Sequence, residues 1–171
     1  PSNNTLEFQK DSVAGWVANY TSVDLSKNLD RETLSRTLQA TKLVSPQPND
    51  SWDDLFFKLW LDHVEPNFPK EVPVIVHDYP TQQSALGKIG KNGWTERFEI
   101  YWKGMELCNG CTELGDADQC RSRYARESEI RKSRGLKAHP FPNRLLEATQ
   151  KLPPASGVAV GLNRLFWALQ R

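Results

Sequence analysis

Four acidic or amide side chains lie close together within residues 96–114, a stretch that is otherwise rich in apolar and aromatic residues. They are Glu99, Glu106, Asn109 and Glu113. A carboxylate costs several kcal/mol to bury unless a cation or hydrogen bonds compensate its charge. The pattern therefore predicts a site that takes a metal ion or an ammonium group.

A β-hairpin that turns at Lys103 and Gly104 would bring two of these carboxylates together. In that register Tyr101 lies opposite Glu106, and the alternation of side chains places Glu99 on the same face. Such diagonal neighbours are roughly 7 Å apart between their Cα atoms, a spacing at which both carboxylates can hold one or two hydrated Mg²⁺ ions. The hairpin is therefore the candidate metal-binding element.

Strict alternation would put Asn109 and Glu113 on the opposite face of this hairpin. A site shared by all four side chains needs a β-bulge between Glu106 and Asn109, and we expect the neighbouring Gly110 to accommodate it. The alternative is an ordinary solvated face of an antiparallel hairpin, and the spacing alone does not separate the two interpretations.

A second segment, residues 155–169, is suited to binding a nucleotide. Residues 158–160 predict a short strand, which turns at Gly161 into a helix with Arg164 in its first turn. Gly157 and Gly161 let the backbone approach a flat or phosphorylated ligand, and an arginine can stack on a purine or pair with a phosphate. The alternative is a closely packed strand-to-helix turn with a surface arginine.

Together these segments resemble the end of the catalytic domain of class II aminoacyl-tRNA synthetases, in their lysyl branch. The hairpin ERFEIYWKGMELCNGCTEL resembles that branch's ribbon for the ATP metal and for lysine, and GVAVGLNRL resembles class II motif 3. Within the branch, YWKGMELCNG, RKSRGLKAHPFPNRLLEA and SGVAVGLNRL are similar to the short paralogues that attach β-lysine to translation elongation factor P. The resemblance covers nearly the whole chain and is most specific after residue 72.

The resemblance implies ATP and Mg²⁺ as cofactors and a role for each matching residue. Glu99 and Glu106 would hold Mg²⁺ against the ATP phosphates. Arg164 would bind ATP, and Asn109 would contact the amino acid or the nucleotide. Glu113 would accept the side-chain ammonium of lysine or β-lysine. The remaining substrate- and ATP-binding positions implied by the resemblance are Gly110, Gly157 and Gly161.

The reaction implied by the resemblance is that of a ligase. It would activate lysine or β-lysine as an adenylate and transfer the acyl group to a lysine of elongation factor P. The alternatives are a catalytic-domain fragment of lysyl-tRNA synthetase, with tRNA as a partner, and a non-catalytic binding or regulatory protein. The family further implies a homodimer for the full-length protein. Because the sequence has no run of about 18 apolar residues and no visible signal peptide, we expect a cytoplasmic location and no association with a membrane.

Three departures from the family pattern bear on this interpretation. Cys111 stands where the family usually has an aromatic residue, so the wall beside the substrate's alkyl chain is weaker. Asn163 stands where an aspartate usually precedes the motif 3 arginine. No segment resembles motif 1 or motif 2, so we expect the chain to be the C-terminal portion of a longer enzyme and inactive alone.

The fold class expected from this resemblance is α+β. Residues 71–171 would form the C-terminal part of the class II antiparallel sheet with flanking helices, with motif 3 at 155–169. Residues 1–70 would form a small helical subdomain inserted before it.

Helix signals agree with a helical first part of the chain. A first helix is predicted at about residues 7–20, and Asp30 can cap a second. Ser51 with Asp54 predicts a capping box for a third helix, and Asp116 can start a long basic helix after the hairpin.

Composition is that of an ordinary globular protein. The chain has 171 residues, of which 38% are hydrophobic and 25% charged, and its formal net charge of +1 predicts no strong attraction to nucleic acid. Cys108, Cys111 and Cys120 lack a fourth zinc ligand at a usual spacing, and their odd number argues against a disulfide framework. We therefore expect free thiols.

Overall fold

The computed structural model describes residues 7–83 and 86–170 and contains a five-stranded sheet. The strands, in both chain and spatial order, are β1 (Gln9–Ser12), β2 (Val74–Tyr79), β3 (Thr95–Trp102), β4 (Met105–Thr112) and β5 (Ser156–Val160). β1 runs parallel to β2, and each later strand runs antiparallel to the strand before it. This mostly antiparallel sheet with flanking helices confirms the predicted α+β class.

Six α-helices are seen in the described residues. They are α1 (Val13–Thr21), α2 (Arg31–Thr41), α3 (Trp52–Leu59), α4 (Ala117–Ser133), α5 (Asn143–Thr149) and α6 (Leu162–Leu169). α3 continues into a π-helical turn, Trp60–Val64, and the short 3-10 helices are Leu25–Lys27, Glu65–Asn67 and Thr81–Gln83. Within residues 7–83 and 86–170, no helix has the length and apolar character needed to cross a bilayer.

Side-chain caps begin α2 and α3 where the sequence predicts them. The Asp30 carboxylate accepts hydrogen bonds from the backbone N–H groups of Glu32 and Thr33, at 3.0 and 2.9 Å. At α3, the backbone N–H of Asp54 donates to Ser51 Oγ at 3.2 Å, and the backbone N–H of Ser51 donates to Asp54 Oδ2 at 2.8 Å. This reciprocal pair is the predicted capping box.

Removing this cap is expected to destabilise the protein measurably. Ser51→Ala leaves the Asp54 N–H without its acceptor, so we expect the free energy of unfolding to fall by about 1 kcal/mol in urea titrations. Ser122→Ala, at an exposed position of α4, is the matched control and should change the free energy of unfolding little. Equal effects of the two substitutions would contradict a stabilising capping box.

One apolar core joins the helices of the first part of the chain to the sheet. Its fully buried members include Val13 and Val17 of α1, Leu34 and Leu38 of α2, Leu55 and Leu59 of α3, and Val74 and Val76 of β2. Burying each such side chain contributes about 1.5–3 kcal/mol of transfer free energy. α1 is therefore packed directly on β2, next to the strands that carry the candidate site, and α2 and α3 belong to the same core.

The helix predicted at about residues 7–20 is wrong over its first part. Residues 9–12 form β1, which pairs in parallel with residues 74–77 of β2. The helix begins only at Val13, after Ser12 accepts a hydrogen bond from the backbone N–H of Gly15 at 3.0 Å. Because the partner strand lies far along the chain, local sequence gave no signal for this strand. The proposed division of the chain at residue 70 stays a prediction.

Candidate active site

The β3–β4 hairpin has the predicted turn and the predicted pairing next to it. Lys103 and Gly104 form the turn with φ values of +53° and +75°. Two positive φ values are typical of the type I′ turn, whose twist matches that of the flanking strands. Tyr101 lies opposite Glu106, as expected.

A bulge in β4 brings the predicted side chains to one face of the hairpin. Glu106 and Cys108 lie opposite adjacent residues of β3, so Leu107 between them is the extra residue. Beyond the bulge, Asn109 lies directly opposite Glu99. The bulge therefore falls between Glu106 and Asn109, where a shared site requires it.

Gly110 is not the bulged residue, contrary to expectation. It has a packing role instead, because a Cβ atom there would lie 2.6 Å from Cε1 of Phe98 and 2.8 Å from the carbonyl oxygen of Gly157. Contacts this short are not tolerated, so only glycine lets the Phe98 ring and β5 approach β4 this closely. A role for Gly110 in ligand binding stays a prediction.

Glu99 is buried, and donors surround its carboxylate. The side chain of Arg97 donates to Oε1 at 2.5 Å, and Nδ2 of Asn109 donates to the same oxygen at 3.2 Å. The Tyr101 hydroxyl donates to Oε2 at 2.5 Å. With 7% of the residue exposed, these partners compensate most of the cost of burying the charge.

Glu106 lies next to Arg164, as the site hypothesis requires. Arg164 stands in the first turn of α6, and its Nη1 donates to the Glu106 carbonyl oxygen at 2.9 Å and lies 3.8 Å from Glu106 Oε2. Burial raises the pKa of Glu106, Glu99 raises it further, and the two arginines Arg164 and Arg97 oppose the shift. Glu99 and Glu106 therefore affect one another electrostatically, and the strand-to-helix turn places Arg164 beside Glu106.

Glu113 lies at the other end of the same face. Alternation from Asn109 places it on the face of Glu99, and its backbone N–H donates to the Ala155 carbonyl at 2.9 Å. A Cβ atom on Gly157 would lie 2.8 Å from Glu113 Oε1, so the carboxylate rests over the backbone of β5. Gly157 thus makes room for the carboxylate that is predicted to bind an ammonium group.

A cavity of about 220 Å³ lies between the end of α3 and this face of the sheet. Its helical side is apolar and includes Phe56, Phe57, Trp60 and Leu61. Its polar side includes Glu65, Tyr79, Arg97, Glu99 and Glu106. An apolar wall facing a few convergent charged groups is typical of a small-molecule site.

Glu65 is a carboxylate of this cavity that the sequence analysis missed. It follows the π-helical turn Trp60–Val64, a local geometry that is frequent at functional sites. Burial raises the pKa of Glu65, and the nearby Glu99 and Glu106 raise it further. Three carboxylates and two guanidinium groups therefore share the site. No sequence pattern marks Glu65, because its position depends on how α3 ends.

The oxygen donors of this site fit Mg²⁺ in the company of a nucleotide. Mg²⁺ commonly takes one or two protein carboxylates and completes its coordination with phosphate oxygens and water. Glu106 offers the more accessible carboxylate, since that of Glu99 already accepts three hydrogen bonds. Within the described residues no group of three or more His, Cys, Asp or Glu side chains is arranged to hold a metal ion.

Two larger cavities, of about 420 and 510 Å³, lie along α4. None of the predicted site residues lines either of them. The cavities along α4 are larger, but the charged side chains Glu65, Arg97, Glu99 and Glu106 converge on the smaller cavity beside the hairpin. We therefore take the smaller cavity as part of the candidate active site.

The three cysteines are free thiols, as expected. Cys108 and Cys120 are buried, while Cys111 is partly exposed and lies opposite Arg97 in the hairpin. Burial raises the pKa of all three thiols, so they remain protonated at neutral pH and behave as small apolar side chains. Cys111 is thus a small, neutral side chain on the candidate face.

Comparison with known proteins agrees with this geometry. A family model described as tRNA synthetases class II (D, K and N) matches residues 11–171. The elongation factor P--(R)-beta-lysine ligase of Pectobacterium atrosepticum is 41% identical over 120 residues, which cover 68% of this chain and 37% of the ligase. The matched region is thus little more than a third of that relative's length. The chain belongs to the class II tRNA synthetase family that includes the D, K and N enzymes.

Proposed function

We propose that this chain forms part of an ATP-dependent ligase that activates lysine or β-lysine as an adenylate. The acyl group would pass to a lysine of elongation factor P, in the cytoplasm, and the full-length protein would be a homodimer. The observation that carries the proposal is the bulge at Leu107, which aligns Asn109 with Glu99 on the face where Glu106 meets Arg164. The name of the Pectobacterium relative supports the choice of acceptor.

The nucleotide would bind where Glu106 and Arg164 meet. The Arg164 side chain is 58% exposed, so its guanidinium is free to stack on a purine or to pair with a phosphate. Glu99 and Glu106 would hold Mg²⁺, which neutralises the charge that develops on the phosphates as pyrophosphate leaves. Arg164 would add a fixed positive charge on the same side.

The amino acid would bind with its side-chain ammonium at Glu113. A carboxylate that rests on the strand backbone forms a charge-assisted hydrogen bond with an ammonium group. A neutral side chain of the same length would leave the carboxylate uncompensated and would be rejected. Cys111, on the same face, provides less contact with the alkyl chain than an aromatic residue would.

ATP/pyrophosphate exchange by the product of the complete gene that carries this sequence tests the proposal. Mg²⁺-dependent exchange is expected with lysine or β-lysine and not with norleucine, whose side chain has a similar length but no ammonium group. Absence of exchange with both cationic amino acids would refute it. Transfer of the labelled amino acid to elongation factor P, rather than to tRNA, would separate the ligase from a lysyl-tRNA synthetase.

A non-catalytic binding protein of the same family is the second candidate. Cys111 on the site face and Asn163 before the motif 3 arginine favour it, because both depart from the family pattern. Calorimetry separates the two functions. A complete gene product that binds no ATP in the presence of Mg²⁺ would support the non-catalytic function.

Substitution of Gly157 is expected to affect the amino acid selectively. In Gly157→Ala the new methyl group lies 2.8 Å from the present position of Glu113 Oε1, so the carboxylate must move. We expect KM for the cationic amino acid to rise about tenfold or more while KM for ATP changes little. Gly115→Ala, where a Cβ meets nothing within 4 Å, is the control. Equal increases in both KM values would contradict this role of Glu113.

A further inference from the structure

Arg97 makes four contacts at the centre of the candidate site. Nη2 donates to Glu99 Oε1 at 2.5 Å, Nη1 to the Gln83 carbonyl oxygen at 2.8 Å and Nε to Asn109 Oδ1 at 3.3 Å, and the guanidinium lies 4.4 Å from the centre of the Tyr79 ring. All three guanidinium nitrogens are engaged. Only 19% of the side chain is exposed, so its conformation is closely defined.

These contacts determine how Asn109 is oriented. Its Oδ1 accepts from Arg97, so its Nδ2 points toward Glu99 Oε1 and donates to it at 3.2 Å. Arg97, Glu99 and Asn109 therefore form a closed triangle of hydrogen bonds. Two of its members are residues that the family resemblance assigns to ligand binding, and the third has no assigned role.

The charge of Arg97 is equally important for Glu99. Among the ion pairs of residues 7–83 and 86–170, Arg97 is the cation that pairs with Glu99, and Glu106 lies close enough to interact with the same carboxylate. Without Arg97, the carboxylates of Glu99 and Glu106 would share one cavity with no cation paired to Glu99. Glu99 would then turn away or lose its defined position.

The ring of Tyr79 restrains the plane of the guanidinium. The Tyr79 hydroxyl makes no hydrogen bond of normal geometry within the described part of the chain. Burial raises the pKa of Tyr79, and the nearby Glu99 raises it further, so the hydroxyl remains protonated. The ring therefore provides the contact that Arg97 uses. A lysine in place of Arg97 would keep the charge but would not supply three donors in one plane.

We propose that Arg97 is a positioning residue, which holds Glu99 and Asn109 in the orientation they need to bind ligands without touching the ligands itself. The functional part of this inference rests on the proposed function. The positional part concerns the free protein and is testable without any substrate. Residues behind a metal ligand commonly act in this way, by fixing the ligand's orientation.

The positional part is tested by NMR on the ligand-free chain. In the wild type the side-chain amide of Asn109, identified by its loss in Asn109→Ala, should give two well-dispersed proton signals. In Arg97→Met these signals should move to the positions typical of a solvated asparagine, and in Arg97→Lys they should move part of the way. Arg36→Met, at an exposed position of α2, is the control and should leave them unchanged. Unchanged signals in Arg97→Met would overturn the inference.

A pair of Tyr79 variants keeps the inference testable if Arg97→Met does not fold. Tyr79→Leu removes the ring that restrains the guanidinium, whereas Tyr79→Phe keeps the ring and removes the hydroxyl. The Asn109 signals should shift in Tyr79→Leu and stay in place in Tyr79→Phe. Equal shifts in both variants would show that the hydroxyl matters and would contradict the proposed contact.

The functional part is tested by calorimetry of ATP binding to the complete gene product, with Mg²⁺ and with EDTA. Arg97→Met should weaken Mg²⁺-dependent binding about tenfold or more and leave metal-free binding nearly unchanged. Equal losses under both conditions would overturn a specific role at the metal. If the wild type shows no Mg²⁺-dependent binding but has dispersed Asn109 signals that depend on Arg97, the positioning is supported and the proposed function is refuted.

Discussion

Glu99→Gln is expected to lower the free energy of unfolding by about 2–3 kcal/mol and pyrophosphate exchange by about a hundredfold or more. The substitution removes the charge that compensates Arg97, and it places an amide N–H₂ group among donors from Arg97, Tyr101 and Asn109. At least one donor then loses its acceptor in a buried site. Chemical denaturation and exchange assays measure the two effects.

Glu71→Gln is the matched control for this substitution. The Glu71 side chain is 90% exposed and pairs with Lys103, whose Nζ lies 3.5 Å from Glu71 Oε2. Exposed pairs of this kind contribute about 0–1 kcal/mol, so the control should have nearly wild-type stability and activity. If Glu99→Gln behaved like the control, Glu99 would be an ordinary surface carboxylate and the buried network would not exist in solution.

Gly110→Ala should have the second large effect, a loss of about 2–3 kcal/mol in the free energy of unfolding. The added methyl group would lie 2.8 Å from the Gly157 carbonyl oxygen, a backbone atom that moves only if β5 separates from β4. The ring of Phe98, at 2.6 Å, would also have to shift. Denaturant titrations of the variant and of Gly115→Ala provide the comparison. A loss no larger than that of Gly115→Ala would mean that β4 and β5 are farther apart than described.

The sequence was sufficient where the determinants of structure are local. Lys103 and Gly104 determine the hairpin turn, and the turn determines that Tyr101 faces Glu106. The need for a bulge followed from chemistry, since only a bulge unites the four polar side chains on one face. The strand-to-helix turn that carries Arg164 was likewise predictable, because its glycine and apolar pattern lie within a few residues.

The parts that depend on distant pairing were not predictable in this way. β1 resembles the start of a helix, but its backbone is paired with β2 far along the chain. Glu65 reaches the cavity because α3 ends in a π-helical turn that packs beside the sheet. Arg97 has no motif of its own, and its importance emerges only from contacts contributed by separate segments. The bulge lies between Glu106 and Asn109 as expected, but Gly110 does not accommodate it: close packing against Phe98 and β5 is what requires the glycine there.

The type I′ turn at Lys103 and Gly104 also has a consequence for the order in which the chain folds. Hairpins closed by such turns form within about 1–10 μs, because little loop entropy is lost. The pairing of β1 with β2 must close a much longer loop and is slower for that reason. The hairpin side chains Glu99, Glu106 and Asn109 are therefore expected to meet early, on a nascent ribbon that the helices cover afterwards.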